Sequence, residues 1–267
     1  MSDHETFDNM DVLIQRVHQY ETTDLLAEIN LRAGRSPLSD LGDQELLRLC
    51  INLIAFSQST PAARVEVLIA TEMWERAFEG FDIEKVSALD PGQFYDEYWQ
   101  KMGALRFPTK LKSMINCAKC FLKLGKEHSS FLSCLRSKNI PISIEDDEDI
   151  QNFWSQFDNL KKDFKLVEMP FFSQQTSLCH LLMMLGYDCA KPDSMVMSAA
   201  VDLGMVPSQP GTQNPNYSDS LRRRVVKTMQ EYCVKRKLRM PVLDLYLLIQ
   251  GGQSSVVHMV HPEFYRK

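Results

Sequence analysis

The stretch from residue 169 to residue 205 constrains the fold of this chain most strongly. Apolar residues recur three and four positions apart over residues 174–185 and again over residues 195–203, which predicts two helices. Pro170 ends any helix arriving from upstream, because the residue before a proline is pushed out of the helical conformation. Gly186 is placed to end the first of the two helices. The stretch therefore predicts helix, tight turn, helix, loop and helix.

The rest of the chain carries the same helical periodicity and no sustained alternation typical of a strand. With 267 residues, 44% of them hydrophobic, the chain can bury the core of one large or two modest domains. Asp43 is expected to cap a helix over residues 43–57. Further helices are predicted over residues 11–20, 23–30, 62–78, 93–102, 109–124, 217–237 and 242–249, with a linker at 34–42 and a loop at 207–216. The predicted fold class is all-α.

Asp193 follows a proline and directly precedes the helix predicted over residues 195–203. Aspartate is a preferred residue at a helix N-cap, where it contributes about 1 kcal/mol. Capping alone would explain this residue, and a catalytic carboxylate at the start of the helix is the alternative. Its sequence neighbours bear on the choice between them.

Four short segments occur in a distinctive order along the chain. They are LIAFSQST at 53–60, MGAL at 102–105 followed by Lys110 and Lys112, MPFFSQQTS at 169–177, and KPDSMV at 191–196. In this order and spacing they resemble the helix-hairpin-helix DNA glycosylase superfamily over residues 46–206. That family has an L-L-S-x-Q-x-T element, a G-L-x-x-x-K-A block, a hairpin L-P-G-V-G-x-x-T-A and then V-D-T-H-V.

The resemblance implies roles for individual residues. Asp193 takes the position of the catalytic aspartate, and Gln58 takes that of the glutamine that enters the DNA stack beside the flipped base. The family's hairpin contacts DNA, which here implies contacts from Phe171, Phe172, Ser173, Gln175 and Thr176.

The chain departs from the family pattern in two ways. Phe171 and Ser173 replace the hairpin glycines that let backbone N–H groups approach a DNA phosphate, which puts phosphate binding by this hairpin in question. Gln175 replaces the lysine that forms a Schiff base in bifunctional members, and an amide cannot act as that nucleophile. An enzyme with this sequence is therefore expected to hydrolyse the glycosidic bond without lyase chemistry of that type.

The resemblance also implies two helical domains. Residues 44–188 would form a six-helix barrel ending in the helix-hairpin-helix. Residues 1–43 and 189–267 would form a second domain from both termini, with the active-site cleft between the two.

Basic residues are concentrated in two runs, although the net charge of −5 argues mildly against a non-specific nucleic-acid binder. Residues 101–126 contain seven basic side chains and no acidic one, and residues 221–239 contain eight against Glu231. Each run could simply be a solvated helix face. As a rim for DNA phosphates, the candidate contacts are Lys110, Lys112, Arg222, Arg223 and Arg224.

Metals, cofactors and membranes are not expected. Seven cysteines without secretory features suggest thiols in a reducing cytoplasm. Cys117 and Cys120 have a zinc-ligand spacing without a second ligand pair, so they are interpreted as structural thiols. The iron–sulfur loop of some family members needs four cysteines, and only Cys233 lies beyond Asp193. No apolar run reaches eighteen residues, and the N-terminus is acidic and polar, without a signal peptide.

The sequence thus predicts a monomeric, monofunctional DNA glycosylase acting on double-stranded DNA. It would excise a damaged base, with an alkylated purine chosen by family analogy. Asp193 would stabilise the positive charge that develops on the sugar and activate water. One alternative is a catalytically inactive glycosylase-like protein that binds DNA or another protein. The other is an all-α interaction protein whose motif is accidental.

Overall fold

A computed structural model describes residues 3–34, 41–58, 60–207 and 217–266, and the ordered elements in these ranges are helical. Fourteen α-helices occur there, with four short 3₁₀ helices and one isolated β-bridge. They are α1 Asp3–Gln19, α2 Thr23–Ala33, α3 Asp43–Ala55, α4 Ala62–Ile69, α5 Glu72–Ala77, α6 Ile83–Ala88, α7 Pro91–Tyr98, α8 Thr109–His128, α9 Phe131–Ser137, α10 Asp147–Leu166, α11 Gln175–Met184, α12 Ser194–Asp202, α13 Asp219–Arg236 and α14 Met240–Gln250. The all-α prediction is confirmed. Much of the predicted linker at 34–42 and nearly all of the predicted loop at 207–216 lie outside the described residues.

The chain divides into two compact units. The terminal unit consists of Met1–Pro37, Pro141–Trp154 and Gln175–Lys267, and the central unit of Leu38–Ile140 and Ser155–Gln174. The terminal unit thus combines residues from both ends of the chain with residues 141–154 and 175–188. The predicted boundaries at 44–188 stay a prediction. No helix of the described ranges has the length and apolar character needed to cross a membrane.

The terminal unit is built around α14. Residues 240–247 of this helix are all buried, and helices α1, α2, α12 and α13 pack against it. A helix that is apolar on every side is typical of the centre of a bundle. The single charged side chain in this helix, Asp244, is therefore held in the core of the unit.

Contacts near the two chain ends also close the terminal unit. Glu21 and Val260 form an antiparallel bridge, and the Thr22 hydroxyl donates a 2.7 Å hydrogen bond to the Met259 carbonyl oxygen. The backbone N–H of His261 donates to the Tyr20 carbonyl oxygen at 2.8 Å. These bonds satisfy backbone groups that a buried loop would otherwise leave unpaired.

The central unit is organised around α8. Helices α3, α6, α7 and α9 pack against it, and its apolar side includes Leu111, Met114, Ile115, Ala118 and Phe121, all buried. The rings of Phe121 and Phe131 stack with centroids 3.8 Å apart. The helix predicted over residues 109–124 is present and extends to His128.

The predicted capping role of Asp43 is wrong for its own helix. Gly42 is the N-cap of α3, and the Asp43 carboxylate accepts hydrogen bonds from the backbone N–H groups of Phe131 and Leu132, at 2.7 and 2.8 Å. Those groups open α9 and lack partners within that helix. Asp43 therefore caps a helix almost ninety residues further along the chain, which tertiary packing brings to it.

Candidate active site

The two carboxylate oxygens of Asp193 have different partners. Its Oδ1 accepts hydrogen bonds from the backbone N–H groups of Met195 at 3.0 Å and Val196 at 3.2 Å, as an N-cap does. Its Oδ2 lies 3.3 Å from the Lys191 ammonium, and the side chain is 24% exposed. Capping thus uses one oxygen, and the other is paired with the Lys191 ammonium.

The Asp193 side chain lines a cavity of about 180 Å³ inside the terminal unit. Its volume is comparable with that of a cavity of about 150 Å³ that holds a benzene molecule in another protein. The aromatic wall expected for a base pocket is absent from the described lining, and Met183, Met184 and Leu248 supply the apolar surface instead. The lining residues are Arg32, His180, Met183, Met184, Lys191, Asp193, Asp244, Leu248, Gln253 and Ser255.

Asp244 is a second carboxylate in this lining, and its side chain is only 1% exposed. Its Oδ1 accepts from the Lys191 backbone N–H at 3.1 Å, and its Oδ2 accepts from Arg32 Nη1 at 3.2 Å. The pKa of Asp244 is raised to about 6, chiefly because the carboxyl is buried; the positive charge of Arg32 opposes this shift and the negative charge of Asp193 adds to it. Sequence reasoning missed this residue, although a lone acid in an otherwise apolar helix was the available signal.

Arg32 is buried, and its hydrogen bond to Asp244 connects α2 to α14. Its Nε donates to Glu28 Oε1 at 2.7 Å, and its Nη1 also reaches the Pro241 carbonyl oxygen at 3.1 Å. The guanidinium therefore sits between two carboxylates, Glu28 and Asp244. Buried charges are tolerated when they are paired and hydrogen-bonded in this way.

Gln58 lies in the central unit, in a loop that accepts hydrogen bonds from the Lys110 ammonium. Gln58 is exposed and has a φ of 56°, a left-handed conformation that is uncommon outside glycine. The Lys110 ammonium donates to Ala55 O at 2.9 Å, Ser57 O at 2.6 Å and Thr60 Oγ1 at 2.8 Å. The two residues predicted from separate motifs are thus brought together.

The prediction that Lys110 contacts a DNA phosphate does not fit its surroundings. The side chain is fully buried, and its three donors are directed at the loop. Burial lowers the pKa of Lys110 to about 8. We therefore drop it from the proposed phosphate contacts, whereas the exposed Lys112 is retained.

The turn between α10 and α11 keeps the backbone geometry of a glycine at Phe171. Its φ is 62°, in the left-handed region, and Gln174 N–H donates to the Phe171 carbonyl oxygen at 3.0 Å. The Phe172 ring is buried, whereas Phe171 and Ser173 are half-buried. Ser173 does not have a positive φ. Of the two replaced glycines, only the first occupies a position that favours glycine.

Gln175 and Arg222 both contact Asp219, the first residue of α13, in the terminal unit. The buried Gln175 amide donates to the Asp219 carbonyl oxygen at 2.7 Å, and Arg222 Nη1 lies 3.8 Å from Asp219 Oδ1. Among the described residues, Thr176 Oγ1 and Arg222 Nε are buried without a hydrogen-bond partner.

The two arginines that follow differ in their surroundings. The Arg223 guanidinium stacks over the Trp154 ring at 4.7 Å, and Arg224 is exposed. The described hydrogen bonds and ion pairs do not link this group of predicted DNA contacts to Asp193.

Possible metal ligands gather in the central unit, but their surroundings do not favour a cation. Ligand atoms of His128, Cys134 and Asp163 lie within 4.8 Å of one another, and the Lys138 ammonium is paired with Asp163. Burial raises the pKa of the Cys134 thiol to about 11. A divalent ion would need Cys134 to be deprotonated, and it would have to displace the Lys138 ammonium from Asp163. We therefore assign no metal to this cluster.

Cys117 and Cys120 of α8 are free thiols, and both are buried. The Cys117 thiol contacts Met169 Sδ at 3.7 Å, and the Cys120 thiol donates to the Val167 carbonyl oxygen at 3.1 Å. Burial raises the pKa of the Cys120 thiol to about 12. These surroundings support the interpretation of both residues as structural thiols.

Comparison with known proteins gives one match. The model of a family described as methyladenine glycosylase matches residues 49–183, half of the chain. The matched region contains Gln58, Lys110 and the turn at 169–174, and it ends before Asp193. No curated protein and no solved structure matches the chain.

Proposed function

Because this chain belongs to the methyladenine glycosylase family, we propose that it is a monofunctional DNA glycosylase. It hydrolyses the N-glycosidic bond of a damaged base that has been rotated out of duplex DNA. One observation carries the proposal: Asp193 lines a cavity of about 180 Å³, and only one of its carboxylate oxygens is used to cap a helix.

The chemistry asks for one well-placed anion. Breaking the bond develops positive charge on the sugar, and Asp193 Oδ2 stabilises that charge and orients or deprotonates the attacking water. In the free protein this oxygen is 3.3 Å from the Lys191 ammonium. When the sugar becomes cationic, it competes with that ammonium for the same oxygen.

The cavity supports a base as its occupant. Met183 and Met184 offer polarizable sulfur atoms, which contact aromatic rings favourably. The family description is the reason that we propose an alkylated purine as the substrate class. Asp193 and Asp244 line the cavity, but Lys191 and Arg32 pair with them there, so the charge of the lining does not select the substrate.

The test is base release from a panel of duplexes that each carry one damaged base. We expect Asp193→Asn to lower the rate at least about 100-fold, the usual contribution of a general base. Asparagine is also a good N-cap residue, so this variant keeps the helix start intact. Asp202→Asn, at the exposed far end of α12, is the matched control and should release base at the wild-type rate. Equal rates for wild type and Asp193→Asn would contradict the assignment.

A catalytically inactive glycosylase-like protein that binds DNA or another protein is the second candidate. The replacement of the family's hairpin glycine by Phe171 favours it, because it weakens the case for the family's usual grip on damaged DNA. The same panel distinguishes the two. Absence of release from every duplex, with retained and salt-dependent binding, would support the non-catalytic protein.

A further inference from the structure

Asp244 and Asp193 line the same cavity, and both contact Lys191, the first residue of the segment 191–193. Lys191 opens this segment and contacts both acids through different atoms. Its backbone N–H donates to Asp244 Oδ1 at 3.1 Å, and its ammonium lies 3.3 Å from Asp193 Oδ2. The position of the segment, and so of Asp193, depends on the atom that holds the Lys191 amide.

Asp244 is held by a rigid element on its other side. Residues 240–247 are buried, and Arg32 from α2 donates to Asp244 Oδ2 at 3.2 Å while also bonding Glu28. The carboxylate therefore has an acceptor role on each oxygen, with fixed geometry on both. A functional group that is supported by residues of rigid helices is positioned more accurately than one held by a loop alone.

We propose that Asp244 is the positioning residue for Asp193. By accepting hydrogen bonds from the Lys191 backbone amide and the Arg32 guanidinium, it fixes the segment 191–193 and so holds Asp193 in the lining of the cavity. This inference rests on the proposed function and adds a residue to it that neither the sequence motifs nor the family match contains.

Asp244 lies among other ionisable side chains. Arg32 from α2, Lys191 and Asp193 from the segment before α12, and His180 from α11 all line the same cavity. The Cys189 thiol is also within electrostatic range. Because burial raises the pKa of Asp244 to about 6, this carboxyl gains a proton within a pH range accessible to assays. The protonated form no longer attracts Arg32 as an anion does.

The test compares single-turnover base release by the wild type and Asp244→Asn between pH 5 and pH 8. Asparagine keeps an acceptor for the Lys191 amide but loses the charge that holds Arg32. At pH 7.5 we expect the rate to be about ten-fold lower, since a small misplacement of a reacting group can cost up to about 10²-fold. Duplex affinity should stay near that of the wild type, because Asp244 is buried.

The pH profile separates positioning from mere structural support. The wild-type rate should fall as the pH drops through about 6, and this fall should be absent in Asp244→Asn. A histidine ordinarily titrates in a similar range, so His180→Gln is the control and should keep the fall. A parallel profile in Asp244→Asn, with the fall retained, would overturn the proposal.

Failure of the inference is distinguishable from failure of the function. If the wild type releases base, Asp193→Asn is inactive and Asp244→Asn matches the wild type in rate and profile, only the positioning role is wrong. If the wild type releases no base from any duplex, both are wrong. Urea unfolding of each variant at pH 7.5 establishes that the compared proteins are folded.

Discussion

The Lys110 ammonium lies 2.6 Å from the Ser57 carbonyl oxygen, so a residue of α8 holds the loop that carries Gln58. The same ammonium reaches Ala55 O and Thr60 Oγ1, and it thereby satisfies acceptors on both sides of Gln58. The exposed Gln58 is in a left-handed conformation that such a framework can maintain.

Lys110→Met should destabilise the protein by about 1–3 kcal/mol, because it leaves buried carbonyl oxygens without a donor. Methionine has a similar length and no charge, so the change isolates the ammonium. Urea unfolding measures the loss, and the exposed Lys112→Met should change stability by less than about 0.5 kcal/mol. Equal effects of the two substitutions would show that the loop does not depend on Lys110.

Phe171→Gly should increase affinity for undamaged duplex DNA and steepen its dependence on salt. Glycine suits the φ of 62° and removes the side chain that separates the backbone from a phosphate. Fluorescence anisotropy at several salt concentrations measures both effects. Ser173→Gly is the matched control, and we expect no comparable change because Ser173 has no positive φ. Unchanged binding by Phe171→Gly would argue against phosphate contact at this turn.

Asp43→Ala should lower the free energy of unfolding by about 0.5–2 kcal/mol, the usual cost of losing a helix cap. The lost bonds are those to the backbone N–H groups of Phe131 and Leu132. Asp43→Asn keeps one acceptor oxygen and should lose less. Denaturant unfolding with a helical signal would reveal the order, and an alanine variant as stable as the asparagine variant would contradict it.

Asp244 should make the folded protein less stable as the pH rises from about 4 to about 6. Its pKa is about 6 in the folded state against 3.8 ordinarily, so the folded state holds a proton there that the unfolded state has released. This difference in pKa corresponds to a loss of up to about 3 kcal/mol in the free energy of unfolding, at ~1.4 kcal/mol per pKa unit. Unfolding of wild type and Asp244→Asn at pH 4.5 and 7 measures it. The stability of the wild type relative to the variant should be greater at pH 4.5, and a pH-independent difference would contradict the assignment.

Borohydride should trap no covalent complex between the protein and an abasic or damaged duplex. Gln175 has no amine, and the Lys191 ammonium is paired with Asp193 rather than free to attack the sugar. Gel mobility under denaturing conditions measures trapping. A trapped species that disappears in Lys191→Met would show that Lys191 acts as the nucleophile and that the enzyme is not monofunctional.

The sequence by itself determined the local structure of this protein. Apolar spacing predicted the all-α class, Pro170 and Gly186 marked helix boundaries, and Asp193 was identified as a capping residue with a catalytic alternative. Each of these depends on neighbours within a few positions, such as the bonds from Asp193 to the two residues after Ser194. Such patterns are readable because one helix turn brings together residues three and four apart.

Only the tertiary structure decided which side chains meet. Asp244 bonds Lys191 across 53 positions, Lys110 bonds Ser57 across 53, and Asp43 bonds Leu132 across 89. Helical periodicity tells which side of a helix is buried and not which partner covers it. A lone buried acid or lysine is settled by the donors and acceptors that packing supplies, because an unpaired buried charge is too costly to keep. The floor of the candidate site and the support of the Gln58 loop are therefore properties of the folded chain.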